Sequence, residues 1–248
     1  NTGWEFTLTT HNISTRKFSW DTDLNLTTIK NKVLDIGNIE NIISGNNIIM
    51  KGETLRSFYG YEVIGTWQLN DDYTTTLDDM APGDYKFRDV NGDKMITAED
   101  RVILGNSFPK LTFGITNSFS YKNLHISFVF DGVSGVKKYN DNVAETFNPI
   151  NFRRNKIAEP FLNRWTPDNP TNKYTSFVRP KILGDKAATS SYTIMDASYI
   201  KMSSFQVAFD FITRGRIVKS ATVYVSGQNL FVLSDFIGDP SVDTSSNN

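Results

Sequence analysis

Asp89, Asn91, Asp93 and Asp100 occupy the first, third, fifth and twelfth places of a twelve-residue run, residues 89–100. At that spacing side-chain oxygens wrap one hard cation such as calcium, and the backbone carbonyl of Met95 at the seventh place completes the set. The sixth place, where a glycine normally makes the sharp turn, holds Lys94, which also brings a positive charge close to the cation. Asp100 stands where a bidentate glutamate is usual, with Glu99 beside it, and Ile96 at the eighth place is the apolar residue such loops tuck inward. The expectation is a weak calcium site. The other reading is a solvated acidic turn in which Asn91-Gly92 simply reverses the chain.

Little else in the chain has the chemistry of a catalyst. There is no cysteine, which excludes a disulfide framework, a thiol nucleophile and a zinc-thiolate site. The two histidines, His11 and His125, lie within strand-like alternation and read as ordinary strand residues. The paired carboxylates Asp71-Asp72 and Asp78-Asp79 sit in a polar stretch as solvated charge, and no serine, histidine and acid stand at a recognisable nucleophile elbow. No enzyme is expected. A net charge of −1 over 248 residues gives no footprint for nucleic acid.

The acidic run must be held by its neighbours, and these are strands. Leu111, Phe113, Ile115, Asn117, Phe119 and Tyr121 alternate with small polar residues. After a break at Lys122-Asn123, Leu124, Ile126, Phe128 and Phe130 alternate in turn, which makes the pair a hairpin. Trp4, Phe6 and Leu8 do the same near the start. They are followed by Phe18, Trp20, Leu24 and Leu26, set opposite Asp21, Asp23 and Asn25. Near the end, Tyr199, Lys201, Ser203, Phe205, Val207, Phe209 and Phe211 are assigned to one face, a turn to Thr213-Arg214-Gly215, and a last strand to Ala221, Val223 and Val225. Residues 30–57 suggest short strands and turns, and 57–68 a strand kinked at glycines where backbones approach closely. Residues 69–81 are loop-like, and 133–193 hold most of the prolines, a short helix near Asn155 to Arg164, and an ordered surface loop WTPDNPTNKYTSFVRP.

The class is all-β. Aromatic residues reach 13%, with 18 phenylalanines, yet no apolar run has the length of a membrane helix. Strands of a membrane barrel need only about ten alternating residues each, so a barrel stays open. Alternation cannot tell lipid from core on the apolar face. The connections are more telling: short turns near 13–16, 122–123 and 213–218 are set against long stretches at roughly 30–110 and 133–195. That is the layout of an outer-membrane barrel with short periplasmic turns and long outer loops.

The stretches NTGWEF, WDTDLNLTTIKNKV, SFYGYEVIGTWQ, the core from PGDYKFRDVNGD to FDGVSG, RWTPDNP, ASYIKMSSFQVAF and VYVSGQNLFVLSDFIGDPSV follow one another over nearly the whole chain. In that order they resemble the C-terminal part of the SusC/RagA family of TonB-dependent outer-membrane transporters from Bacteroidetes. The most specific signal is DVNGD, then Asp100-Arg101, then Gly105, Asn106 and Pro109 before a strand. The departure is Lys94 at the family's glycine. The resemblance implies the C-terminal portion of an antiparallel transmembrane β-barrel with long outer loops, supplying about eight of roughly 22 strands. Residues 1–248 would then be a fragment without plug, first half of the barrel or closing strand. It also implies import of glycan or peptide fragments across the outer membrane, a SusD-like surface lipoprotein as cap, TonB acting through the plug, lipid around the barrel, and Asp21, Asp23 and Asn25 lining the lumen. The competing reading is a secreted calcium-binding β-sandwich that holds carbohydrate on exposed aromatics such as Trp67 or Trp165.

Overall fold

A computed structural model describes residues 1–146, 155, 157–177, 189–212 and 218–241. Its strands are β1 (Thr2–Ser14), β2 (Phe18–Lys30), β3 (Asn41–Ser44), β4 (Asn47–Met50), β5 (Ser57–Tyr61), β6 (Val63–Thr66) and β7 (Tyr85–Phe87). There follow β8 (Arg101–Gly105), β9 (Leu111–Tyr121), β10 (Leu124–Ser134), β11 (Lys137–Tyr139), β12 (Ile194–Asp196), β13 (Tyr199–Ile212) and β14 (Ser220–Leu233). Two helices, α1 (Asp141–Thr146) and α2 (Ala158–Leu162), are the α-helices among the described residues. The second lies where the sequence suggested one. No described helix is long and apolar enough to cross a membrane.

Two compact units result. Asn1–Asn31, Phe108–Val136 and Asp196–Asn248 form one; Lys32–Ser107 and Lys137–Met195 form the other. In the first, the six long strands make one antiparallel sheet in the order β1-β2-β9-β10-β13-β14. Six such strands are described, fewer than the eight expected, because much of the intervening sequence folds into short strands of the second unit. An antiparallel meander puts alternate connections at opposite ends. The turn at residues 15–17, the Lys122-Asn123 turn and the paired ends Ile212 and Ser220 of β13 and β14 share one end, and the chain leaves β2 and β10 from the other. The expected turn at Thr213-Arg214-Gly215 lies outside the described residues.

Register converts the alternating sequence into rows. Phe6, Leu26, Phe113, Gly132, Ile200 and Leu233 lie side by side across the sheet, as do Leu8, Leu24, Ile115, Phe130, Met202 and Phe231. A third row runs Ile13, Trp20, Phe119, Ile126, Val207 and Val225. The apolar band is therefore continuous. Rings interlock along it: Trp20 stacks on Phe119 at 5.6 Å and Phe130 meets Phe231 at 6.1 Å. Among its polar members, Asn117 accepts hydrogen bonds from Trp20 Nε1 at 2.9 Å and Thr22 Oγ1 at 2.7 Å, so its amide oxygen is satisfied within the band.

One assignment is corrected. Tyr199 and Lys201 were placed with Phe205, but Val129 pairs with Ser204 and Phe130 with Met202. Ser203 is thus an extra residue, and the bulge moves everything before it to the opposite face. A second bulge, at Asn12, turns β1 in the same way. Neither is visible in a simple period of two.

The second unit consists wholly of the two long excursions. Its larger sheet runs β3-β4-β5-β8, with β6 paired to β7 and β11 to β12. The excursions close on each other at a seam. Tyr61 N–H donates to the Thr189 carbonyl at 2.8 Å, Ser191 N–H to the Tyr61 carbonyl at 2.9 Å, and Ser176 N–H to the Gly83 carbonyl at 2.9 Å. Gly60 is required there, because a Cβ at that position would lie 1.9 Å from the Thr189 carbonyl oxygen.

Candidate functional site

The polar face of the six-stranded sheet holds Asp21, Asp23 and Asn25 in a file along β2. Each is met from β1: Thr7 Oγ1 donates to Asn25 at 3.0 Å, Thr9 Oγ1 to Asp23 at 2.7 Å, and His11 Nδ1 lies 2.5 Å from Asp21. The rows continue across the sheet, so Asn25 shares one with Asp131 and Lys201. Glu5, Asp21, Asp23, Asp131 and Asp210 stand on this face against Lys201, which makes it an acidic wall.

Sequence reasoning missed one array on that wall. Ser120 Oγ lies 2.9 Å from His125 Nδ1, whose ring Nε2 is 3.0 Å from Asp210 Oδ2; Thr222 Oγ1 donates to the other Asp210 oxygen at 2.7 Å. The hairpin turn brings Ser120 to His125, but Asp210 comes from a strand far along the chain, and alternation fixes only its face. The line imitates a nucleophile, base and acid. Ser120 lies in a central strand, however, paired on both sides, so neighbouring N–H groups are spent on the ladder and none is left for an oxyanion. The array cross-links four strands.

In the second unit, residues 89–100 form a closed turn. Asp89 accepts from Gly92 N–H at 2.7 Å and from Lys94 N–H at 2.8 Å, and Asp93 accepts from Met95 N–H at 2.8 Å. The amide of Asn91 reaches Asp93 Oδ2 at 3.2 Å and Glu99 Oε2 at 3.1 Å. Asp100 is 0% exposed, and accepts from Val90 N–H at 2.8 Å and Thr97 N–H at 2.7 Å. Burial alone would raise this carboxyl, but the N–H donors of Thr97, Val90 and Asn91 outweigh it and hold it below the usual carboxylate range. Lys94 adopts a φ of 70°, the left-handed conformation for which a glycine is usual. The backbone therefore has the sharp turn of a cation loop, while its carboxylates are engaged by the loop's own N–H groups. Among the described residues no group of three or more acidic or histidine side chains is placed to hold a metal ion.

Ile96 does turn inward, into a cluster with Tyr61, Tyr85 and Phe87 against which Tyr192 packs. Burial pushes the Tyr85 and Tyr192 hydroxyls up, so this core stays neutral. Trp67 and Trp165 are not exposed platforms: they are 8% and 5% exposed. Lys86 covers Trp67 at 4.3 Å, and Trp165 Nε1 donates to Gln68 at 2.9 Å. The stretch from Trp165 to Ser176 is a surface loop pinned at its two ends: Trp165, Tyr174, Thr175 and Ser176 are buried, while residues 167–170, 172 and 173 are exposed.

No protein-family model matches the chain. It is 37% identical to TonB-dependent receptor P26 of Formosa agariphila over 95% of its own length and 25% of that protein's. It is 30% identical to TonB-dependent receptor P3 of the same organism over its full length and 26% of that protein's. Over nearly its whole length the chain is thus similar to one part of TonB-dependent receptors. TonB-dependent receptor SusC of Bacteroides thetaiotaomicron is 24% identical over 98% of this chain and 24% of its own length. The fold agrees. A solved RagAB peptide transporter superposes with a TM-score of 0.74 over 96% of this chain and 26% of that one, at 18% identity. The chain thus spans about a quarter of the length of these receptors, and its all-β antiparallel sheet is an open portion of their barrel.

Proposed function

We propose that the chain is a wall segment of a TonB-dependent outer-membrane importer, with its apolar face against lipid and its polar face on the lumen. One observation carries this reading: six long strands form a meander that is apolar on one face and polar on the other, with short turns at one end and both long excursions at the other. Lipid is the natural cover for the apolar band, since Trp4, Val223 and Val225 are 83%, 61% and 73% exposed in this chain. A β-sandwich would bury that face under a second sheet.

On this reading the excursions lie outside the cell, where a SusD-like lipoprotein caps the barrel and delivers glycan or peptide fragments. TonB supplies energy through a plug contributed by another part of the protein. Asp21, Asp23 and Asn25 then line the route as hydrogen-bonding, negatively charged wall. The test is fractionation of cells that express the complete protein. It should stay with outer membranes after high-salt and alkaline washes and leave them only in detergent. Recovery in the soluble fraction would overturn the reading.

A further inference from the structure

Lys94 is strained where it stands. A left-handed φ of 70° suits glycine, so the turn itself gains nothing from a lysine. Beside it, within the outer unit, opens a cavity of about 180 Å³ lined in part by Trp67, Phe87, Ile96, Lys86, Asp89 and Lys94. An apolar cavity of about 150 Å³ holds a benzene ring, so this volume suits one ring-sized group.

Two of the charged groups at the cavity are already engaged, although Asp89 remains an anion beside Lys94. Lys86 Nζ lies 3.3 Å from Asp71 and covers Trp67, and the Asp89 oxygens take the N–H groups of Gly92 and Lys94. The Lys94 ammonium, by contrast, has no ion-pair partner among the described residues. We infer that the cavity is a subsite for a ring-sized group bearing a carboxylate, its body against Phe87, Ile96 and Trp67 and its carboxylate on the Lys94 ammonium. This rests on the importer reading, under which the outer unit is the part that cargo meets first. An acidic sugar and an aromatic residue at a peptide C-terminus share that chemistry.

The complete transporter, purified in detergent, is titrated calorimetrically with methyl glucuronide and with N-acetylphenylalanine, each beside its neutral counterpart, methyl glucoside and N-acetylphenylalaninamide. At least one carboxylate should bind saturably, about tenfold or more tighter than its neutral partner, and which one binds identifies the source. Lys94→Gly removes the strain, so it should fold with unchanged or higher heat stability while losing about tenfold in carboxylate affinity; Lys94→Arg should keep it. No saturable binding, equal binding of the neutral compounds, or full affinity in Lys94→Gly would each overturn the subsite. Fractionation of the unaltered protein tests the importer reading separately.

Discussion

The Asp100 carboxylate accepts from two backbone N–H groups, those of Val90 and Thr97. Removing it in Asp100→Ala should cost about 1–3 kcal/mol for the buried donors left behind, read as faster proteolysis of the outer unit in the complete protein. Because its folded pKa is lowered, its contribution is present above the ordinary aspartate value of about 3.9 and is lost as pH falls through the folded value. Protection of the Val90 and Thr97 amides, exchange measured relative to the intrinsic rate at each pH, should therefore stay high at neutral pH and fall only in acid below the ordinary aspartate range. Calcium at this turn is a further proposal: binding in the high micromolar to millimolar range, about 10⁻⁴ to 10⁻³ M, since the carboxylates must release N–H groups to reach an ion. Calorimetry with Asp89→Ala/Asp93→Ala as reference decides it, identical heats leaving a self-capped turn. The spacing from Asp89 to Asp100 was plain in the sequence because every member lies within one loop. The Ser120, His125 and Asp210 array was not, because it depends on which strands are neighbours.

Strand existence was legible at the scale of elements, since an apolar face and a polar face impose a period of two that few other structures tolerate. What escaped was phase. Ser203 and Asn12 look like any polar strand residue, yet each shifts the pairing by one and exchanges the faces beyond it. Ile115 lies mid-strand in the apolar band, so Ile115→Arg should cost roughly 2–4 kcal/mol near the bilayer midplane. The measurement is the heat at which the detergent-solubilised barrel unfolds on a gel, and an unchanged transition would place the band elsewhere than in lipid. Glycine punctuation was read correctly at Gly60, although its partner, Thr189, could not be named from sequence. Gly60→Val should force the β5 backbone off Thr189 and expose residues 57–66 to protease, with the six-stranded sheet left intact.

At the scale of the molecule, the sheet ends in two open strands, β1 and β14, whose outer backbone groups have no partner within the described sheet. Lipid cannot satisfy such groups, so the chain expressed alone should not insert into vesicles and should instead aggregate, whereas the complete protein inserts. Turbidity and flotation with liposomes distinguish the two outcomes. The seam between the two excursions has a different consequence, for exchange between relatives. Since Gly60 lies against Thr189 and Gly83 against Ser176, residues 32–107 and 137–195 form one heritable module encoded in two separate places. A chimera that transplants only one of them from another receptor brings a foreign surface to that contact, and grafts of the pair together are the ones expected to fold.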